Sequence, residues 1–140
     1  MVVVAVVSAT TNAEEVVIEA ARRADELDAT VHVLYLLALG RYAALELAVA
    51  DAFGLPTGVT TMEELCARKA ERIAVTAFDE FEAVGLVGRP VDELVDYVEA
   101  VDADSLVVDG EAPWSIGFRR TPRPIVEQLR ERGVTVVPVY

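Results

Sequence analysis

The residues best equipped for chemistry in this chain lie in one stretch, "DGEAPWSIGFRRTPRPIV", running from Asp109 to Val126. Within it Arg119, Arg120 and Arg123 form the densest basic cluster of an otherwise acidic sequence. A guanidinium presents a planar fork of donors that matches phosphate or carboxylate, so three of them near a helix start can hold an anion. The same arginines can instead pair with surface carboxylates of their own or a neighbouring subunit, each exposed pair worth ~0–1 kcal/mol. The composition leans towards this ion-pair reading. Trp114 offers a face on which a base could stack, or a plug for its own core. Pro113, Pro122 and Pro124 stiffen the loop and favour the plug.

A second candidate lies near the start, in the polar turn Ser8-Ala9-Thr10-Thr11-Asn12. Hydroxyl and amide side chains between a strand and a helix cap the helix N-terminus. They can also donate to a phosphate held there. "SATTNAE" resembles the phosphate loop of flavodoxins, which holds flavin mononucleotide, but it lacks their glycine. Aromatic residues, at 6% of the chain, are few for sandwiching a flavin ring. The colour of the purified protein separates a flavin carrier from the other readings.

The remaining single residues are quieter. His32 is the only histidine and sits in an apolar run, where packing explains it better than ligation. A Ser-His-Asp triad would have to use it, and no nucleophile elbow accompanies it, so we expect no enzymatic activity. Cys66 is the only cysteine, which excludes an intrachain disulfide and any multi-cysteine metal site. Nothing around it marks an activated thiol, and a small packed side chain is expected. Arg68, Lys69, Glu71 and Arg72 read as the solvated face of a helix.

These residues need a scaffold, and 140 residues with 54% hydrophobic content suit one domain, residues 1–140, around one core. The longest apolar runs fall well short of the ~18 residues a membrane span requires. The opening run "MVVVAVV" lacks the flanks of a signal peptide. A cytoplasmic protein is expected. The formal charge is −12, from 24 acidic and 12 basic residues, and Lys69 is the only lysine. That field repels nucleic acid and anionic membranes. Acid-rich, lysine-poor composition resembles that of proteins from salt-loving archaea, where salt screens the repulsion between carboxylates.

Strand and helix signals alternate along the whole chain. Residues 2–7 read as a buried strand and 30–37 as a second. Between them Val16, Val17, Ala20, Ala21, Ala24 and Leu27 fall on one helical face. Residues 38–52 are apolar and either helical or irregular, and Gly54, Pro56 and Gly58 break them. Thr61-Met62-Glu63-Glu64 forms a capping-box pattern for a long helix ending near Phe78. Residues 83–87 form a short strand. Pro90 opens a helix whose face is Val91, Leu94, Val95, Val98 and Val101. Residues 105–108 form the fourth strand, Pro124 to Arg132 a helix closed by Gly133, and residues 134–139 the fifth strand. The order predicts an α/β domain, a doubly wound five-stranded parallel sheet with helices on both faces.

"GRPVDELVDYVEAVDADSLVVDGE" resembles the segment of universal stress proteins in which glycine and proline open a helix and an acidic turn leads to the fourth strand. "VAVVSATTNAEEVVIEAARRADELDATVHVLYLL" resembles their first strand, helix and second strand. The resemblance implies strand order 3-2-1-4-5, a homodimer formed through the last strand, from Val134 to Tyr140, and a stress-response role. Some members bind ATP or AMP, using an aspartate after the first strand and a loop Gly-x2-Gly-x9-Gly-Ser/Thr after the fourth. Laid on this chain, the aspartate falls on Ser8 and the first glycine on Gly110, a match. The second glycine falls on Pro113, the third on Arg123 and the hydroxyl on Pro124. The resemblance therefore implies a degenerate nucleotide loop and a module without a cofactor. The alternative is an adenine-nucleotide or phosphate-binding protein that uses Ser8, Thr10, Gly110 and the arginines at 119, 120 and 123.

Overall fold

β-branched residues dominate the first strand, β1 (Val2–Val7), and from Val3 onward each is buried, as a central parallel strand requires. The computed structural model describes residues 1–8, 12–38, 52–54, 59–110 and 124–140, with the backbone alone at 38 and 59–61. After β1 come α1 (Ala13–Leu27), β2 (Thr30–Ala38), α2 (Val59–Ala74), β3 (Glu82–Gly88) and α3 (Pro90–Val101). β4 (Ser105–Asp109), α4 (Ile125–Glu131) and β5 (Val136–Val139) complete the order. The five strands form one parallel sheet, ordered β3-β2-β1-β4-β5. The predicted topology is the one observed.

Alternation along β1 divides the core into two layers. Val3, Ala5 and Val7 face α1 (Val16, Val17, Ala20, Ala24) and α2 (Cys66, Ala70, Ala74). Val4 and Val6 face α3 (Leu94, Val95) and α4 (Ile125, Val126, Leu129). Helices therefore cover both faces of the sheet. At its amino-terminal edge, Arg23 of α1 donates from Nε to the buried Ser105 hydroxyl at 2.7 Å. The same guanidinium pairs with Asp104 at 3.3 Å. This clasp fixes α1 to the start of β4.

Several boundaries depart from the sequence pattern, among them the end of α2, which falls at Ala74 and not near Phe78. α2 starts at Val59, so Thr61 lies inside its first turn and does not cap it. First-turn amides lack partners within a helix wherever it starts, which leaves the boundary to tertiary packing. β3 spans Glu82–Gly88, longer than predicted, because it pairs with β2 along residues from His32 to Ala38. β5 begins at Val136, two residues late. Gly133 takes a left-handed φ of 85°, its N–H bonds the Arg130 carbonyl, and the Val134 N–H bonds the Leu129 carbonyl. Those two bonds close α4 in the reversing turn that glycine permits, so Val134 serves the helix end before the strand starts.

Candidate functional site

In this strand order β1 and β4 are neighbours whose following segments leave towards opposite faces: α1 joins α2, and α4 joins α3. In open α/β sheets a divergence of this kind marks the crevice, at the carboxyl ends of the two strands, where ligands bind. The register sets Val3 opposite Ser105 and Ala5 opposite Val107; continued along both strands it brings Ser8 level with Gly110. Two of the sequence-derived site residues thus follow directly on neighbouring strand ends. Thr10, Arg119, Arg120, Arg123 and Trp114 lie outside the described residues.

Asp109 is the residue that sequence reasoning passed over. It ends β4 at the mouth of the crevice, 9% exposed, and its Oδ2 accepts the Asn12 backbone N–H at 2.8 Å. Asn12 is the N-cap of α1, and its own Oδ1 accepts from the Glu15 N–H at 3.4 Å. The first turn of α1 also carries Glu14 and Glu15. Three carboxylates therefore surround the positive end of the α1 dipole, which serves it internally and repels an incoming phosphate. The signal in the sequence was a carboxylate ending an apolar strand, "SLVVD", beside a capping turn.

Gly110 is equally committed. Its N–H donates to the Val139 carbonyl at 2.9 Å, extending the β4–β5 pairing. A Cβ built on it would stand 2.5 Å from the Tyr140 ring, so the glycine is what lets that ring lie against the strand end. At the Ser/Thr position of the nucleotide loop, Pro124 is the N-cap of α4 and makes no side-chain capping bond. It brings neither hydroxyl nor N–H to the crevice.

Elsewhere the single reactive groups are packed. Cys66 is buried, and burial pushes its thiol up, away from the thiolate form. His32 Nδ1 lies 2.7 Å from the Tyr97 hydroxyl, linking β2 to α3, and burial lowers its pKa. Among the described residues, no group of three or more His, Cys, Asp or Glu side chains is arranged for a metal ion. Nor is any described helix long and apolar enough to cross a membrane.

A model of the universal stress protein family matches residues 1–110, ending at Gly110. No curated protein matches the sequence at a significant level. Among solved structures, a universal stress protein in complex with cAMP is 19% identical, with TM-score 0.60 over 100% of this chain and 96% of its own. A universal stress protein from Archaeoglobus fulgidus is 20% identical, with TM-score 0.59 over 100% of this chain and 93% of its own. A third, a hypothetical protein solved as a structural-genomics test of assigning biochemical function, is 15% identical. Its TM-score is 0.62, over 99% of this chain and 94% of its own.

Proposed function

The chain belongs to the universal stress protein family, and from that membership we propose that it works as a non-catalytic stress-response module, a cytoplasmic homodimer whose nucleotide site is degenerate. One observation carries the reading: Gly110, the one loop glycine retained, gives its N–H to Val139 and its open face to Tyr140. A glycine engaged in this way is not presenting its amide to a phosphate. The carboxylates of Asp109, Glu14 and Glu15 around the α1 N-terminus support the same conclusion. β5 lies at the sheet edge, and an apolar edge strand can pair with a copy of itself about a two-fold axis. Pro138 interrupts such pairing locally.

A second reading keeps an adenine-nucleotide or phosphate ligand, held by Ser8, Thr10 and the arginines at 119, 120 and 123. It is favoured by the structural neighbour solved with cAMP. Calorimetric titration with ATP, AMP and cAMP, with magnesium and in molar salt, separates the two. The degenerate-site reading expects no heat up to millimolar nucleotide. Micromolar binding lost in the Arg119→Ala/Arg120→Ala/Arg123→Ala variant would overturn it and mean that the arginines have rebuilt the site.

A further inference from the structure

A feature the family reading leaves unexplained is a groove on the α1/α2 face of the sheet, reaching at one end the first turn of α1 at Ala13 and Glu14. It encloses about 680 Å³, within the range of small-molecule sites. Val17 and Ile18 of α1 form one wall, Ile73 of α2 the other, and Tyr35 of β2 lines it between the helices. Ile18 is 56% exposed, a large apolar side chain held in water at the lip. An apolar groove of this volume is the kind of surface that a small ligand occupies.

The charges at the groove say which occupant. Lys69 and Arg72, one turn apart on α2, both line it. Lys69 Nζ sits 5.1 Å above the Tyr35 ring, which holds the ammonium over the groove instead of letting it sweep through solvent. Among the described residues, neither cation forms a salt bridge with a carboxylate. In a chain where acids outnumber bases two to one, two cations left unpaired beside an apolar cleft are complementary to an anion attached to an apolar body. Glu14 lines the groove from α1 and repels such a head group, directing it to the α2 side.

We propose that the groove between α1 and α2 binds a small anionic amphiphile, its apolar body over Tyr35 between Val17, Ile18 and Ile73, and its carboxylate, or a like anionic head, between Lys69 and Arg72. This assignment is independent of whether the β1–β4 crevice holds a nucleotide.

The test is calorimetric titration of the purified protein with dodecanoate below its micellar concentration, with dodecanol as the uncharged control. One molecule of dodecanoate per chain is expected, bound more tightly than dodecanol. Lys69→Gln/Arg72→Gln should weaken dodecanoate about tenfold or more and change dodecanol far less, since it removes two charge-assisted contacts and only a few methylenes of apolar surface. Ile18→Glu, at an exposed position that folding tolerates, should weaken both ligands. Circular dichroism confirms that each variant is folded. Absence of dodecanoate binding overturns the proposal, as does equal affinity for the double variant. Binding that falls as protein concentration rises also overturns it, because a second copy would then be the occupant of the groove.

Discussion

At the scale of single residues, Glu93 and His32 give the protein opposing responses to pH. Burial lifts the Glu93 carboxyl above the usual range, and Asp96, Glu63 and Asp92 add to the lift. The folded chain therefore holds that proton more tightly than the unfolded chain does. Keeping Glu93 ionised at neutral pH costs stability, and the cost is relieved as pH falls through the raised folded value. His32 runs the other way, because burial lowers its pKa against the attraction of Glu82. Its neutral form is the one the fold accepts, so stability is lost as pH falls from the ordinary histidine value, ~6.5, through the lowered one. Glu93→Gln is expected to raise Tm at neutral pH, with the gain shrinking as the buffer enters the carboxylate range. His32→Asn should flatten the loss on the acid side of neutrality. Thermal unfolding followed by circular dichroism across that range reads both. A lower Tm for Glu93→Gln at neutral pH would mean that the packing of the Glu93 side chain over Gly88 outweighs its charge.

At the scale of elements, what could be read from sequence was whatever is local. The apolar faces of α1 and α3 follow from spacing alone, and Pro90 marks its helix start because its ring presets φ and an N1 amide needs no partner. The site was legible to the same depth. Ser8 and Gly110 were placed at the right strand ends, while the roles of Asp109 and Tyr140 depend on contacts across the chain that no local pattern encodes. Gly85 is the clearest such case. Within a β3 read only as a short apolar strand, a Cβ on Gly85 would stand 2.0 Å from the Glu63 carbonyl, 2.6 Å from the Ala67 nitrogen and 2.7 Å from Cys66 Cβ. The helix backbone rests directly on the strand, so Gly85 sets the distance between α2 and β3. Gly85→Ala must push α2 outward, and at ordinary overpacking costs of about 1–3 kcal/mol it should lower the urea midpoint clearly. The contacts are backbone atoms, which no rotamer change can relieve, so the cost belongs near the upper end. An unchanged midpoint would mean that α2 is not seated on β3 as described.

At the scale of the whole molecule, the charge of −12 sets how the fold responds to salt. With 24 acidic residues against 12 basic ones, one-to-one pairing of every base would still leave half of the carboxylates without a cationic partner. Several described pairs are exposed contacts within one helix, such as Arg22 with Glu19 and Glu26 on α1, and solvent screens pairs of this kind strongly. Self-repulsion among the unpaired carboxylates acts over longer distances and opposes the compact state. Added salt screens both effects, shortening the Debye length from ~8 Å at physiological ionic strength to ~3 Å in molar salt. The longer-range repulsion is removed first and more completely, because contacts at hydrogen-bond distance span only about the shorter length. Tm should therefore climb with potassium chloride and level off once the screening length falls below the spacing of surface carboxylates. A neutral osmolyte at matched osmolarity should not reproduce the steep early rise, which separates charge screening from exclusion of solute from the surface. If Tm instead falls from the first additions of salt, the ion pairs outweigh the repulsion. The acidic composition would then be no adaptation to a salt-rich interior.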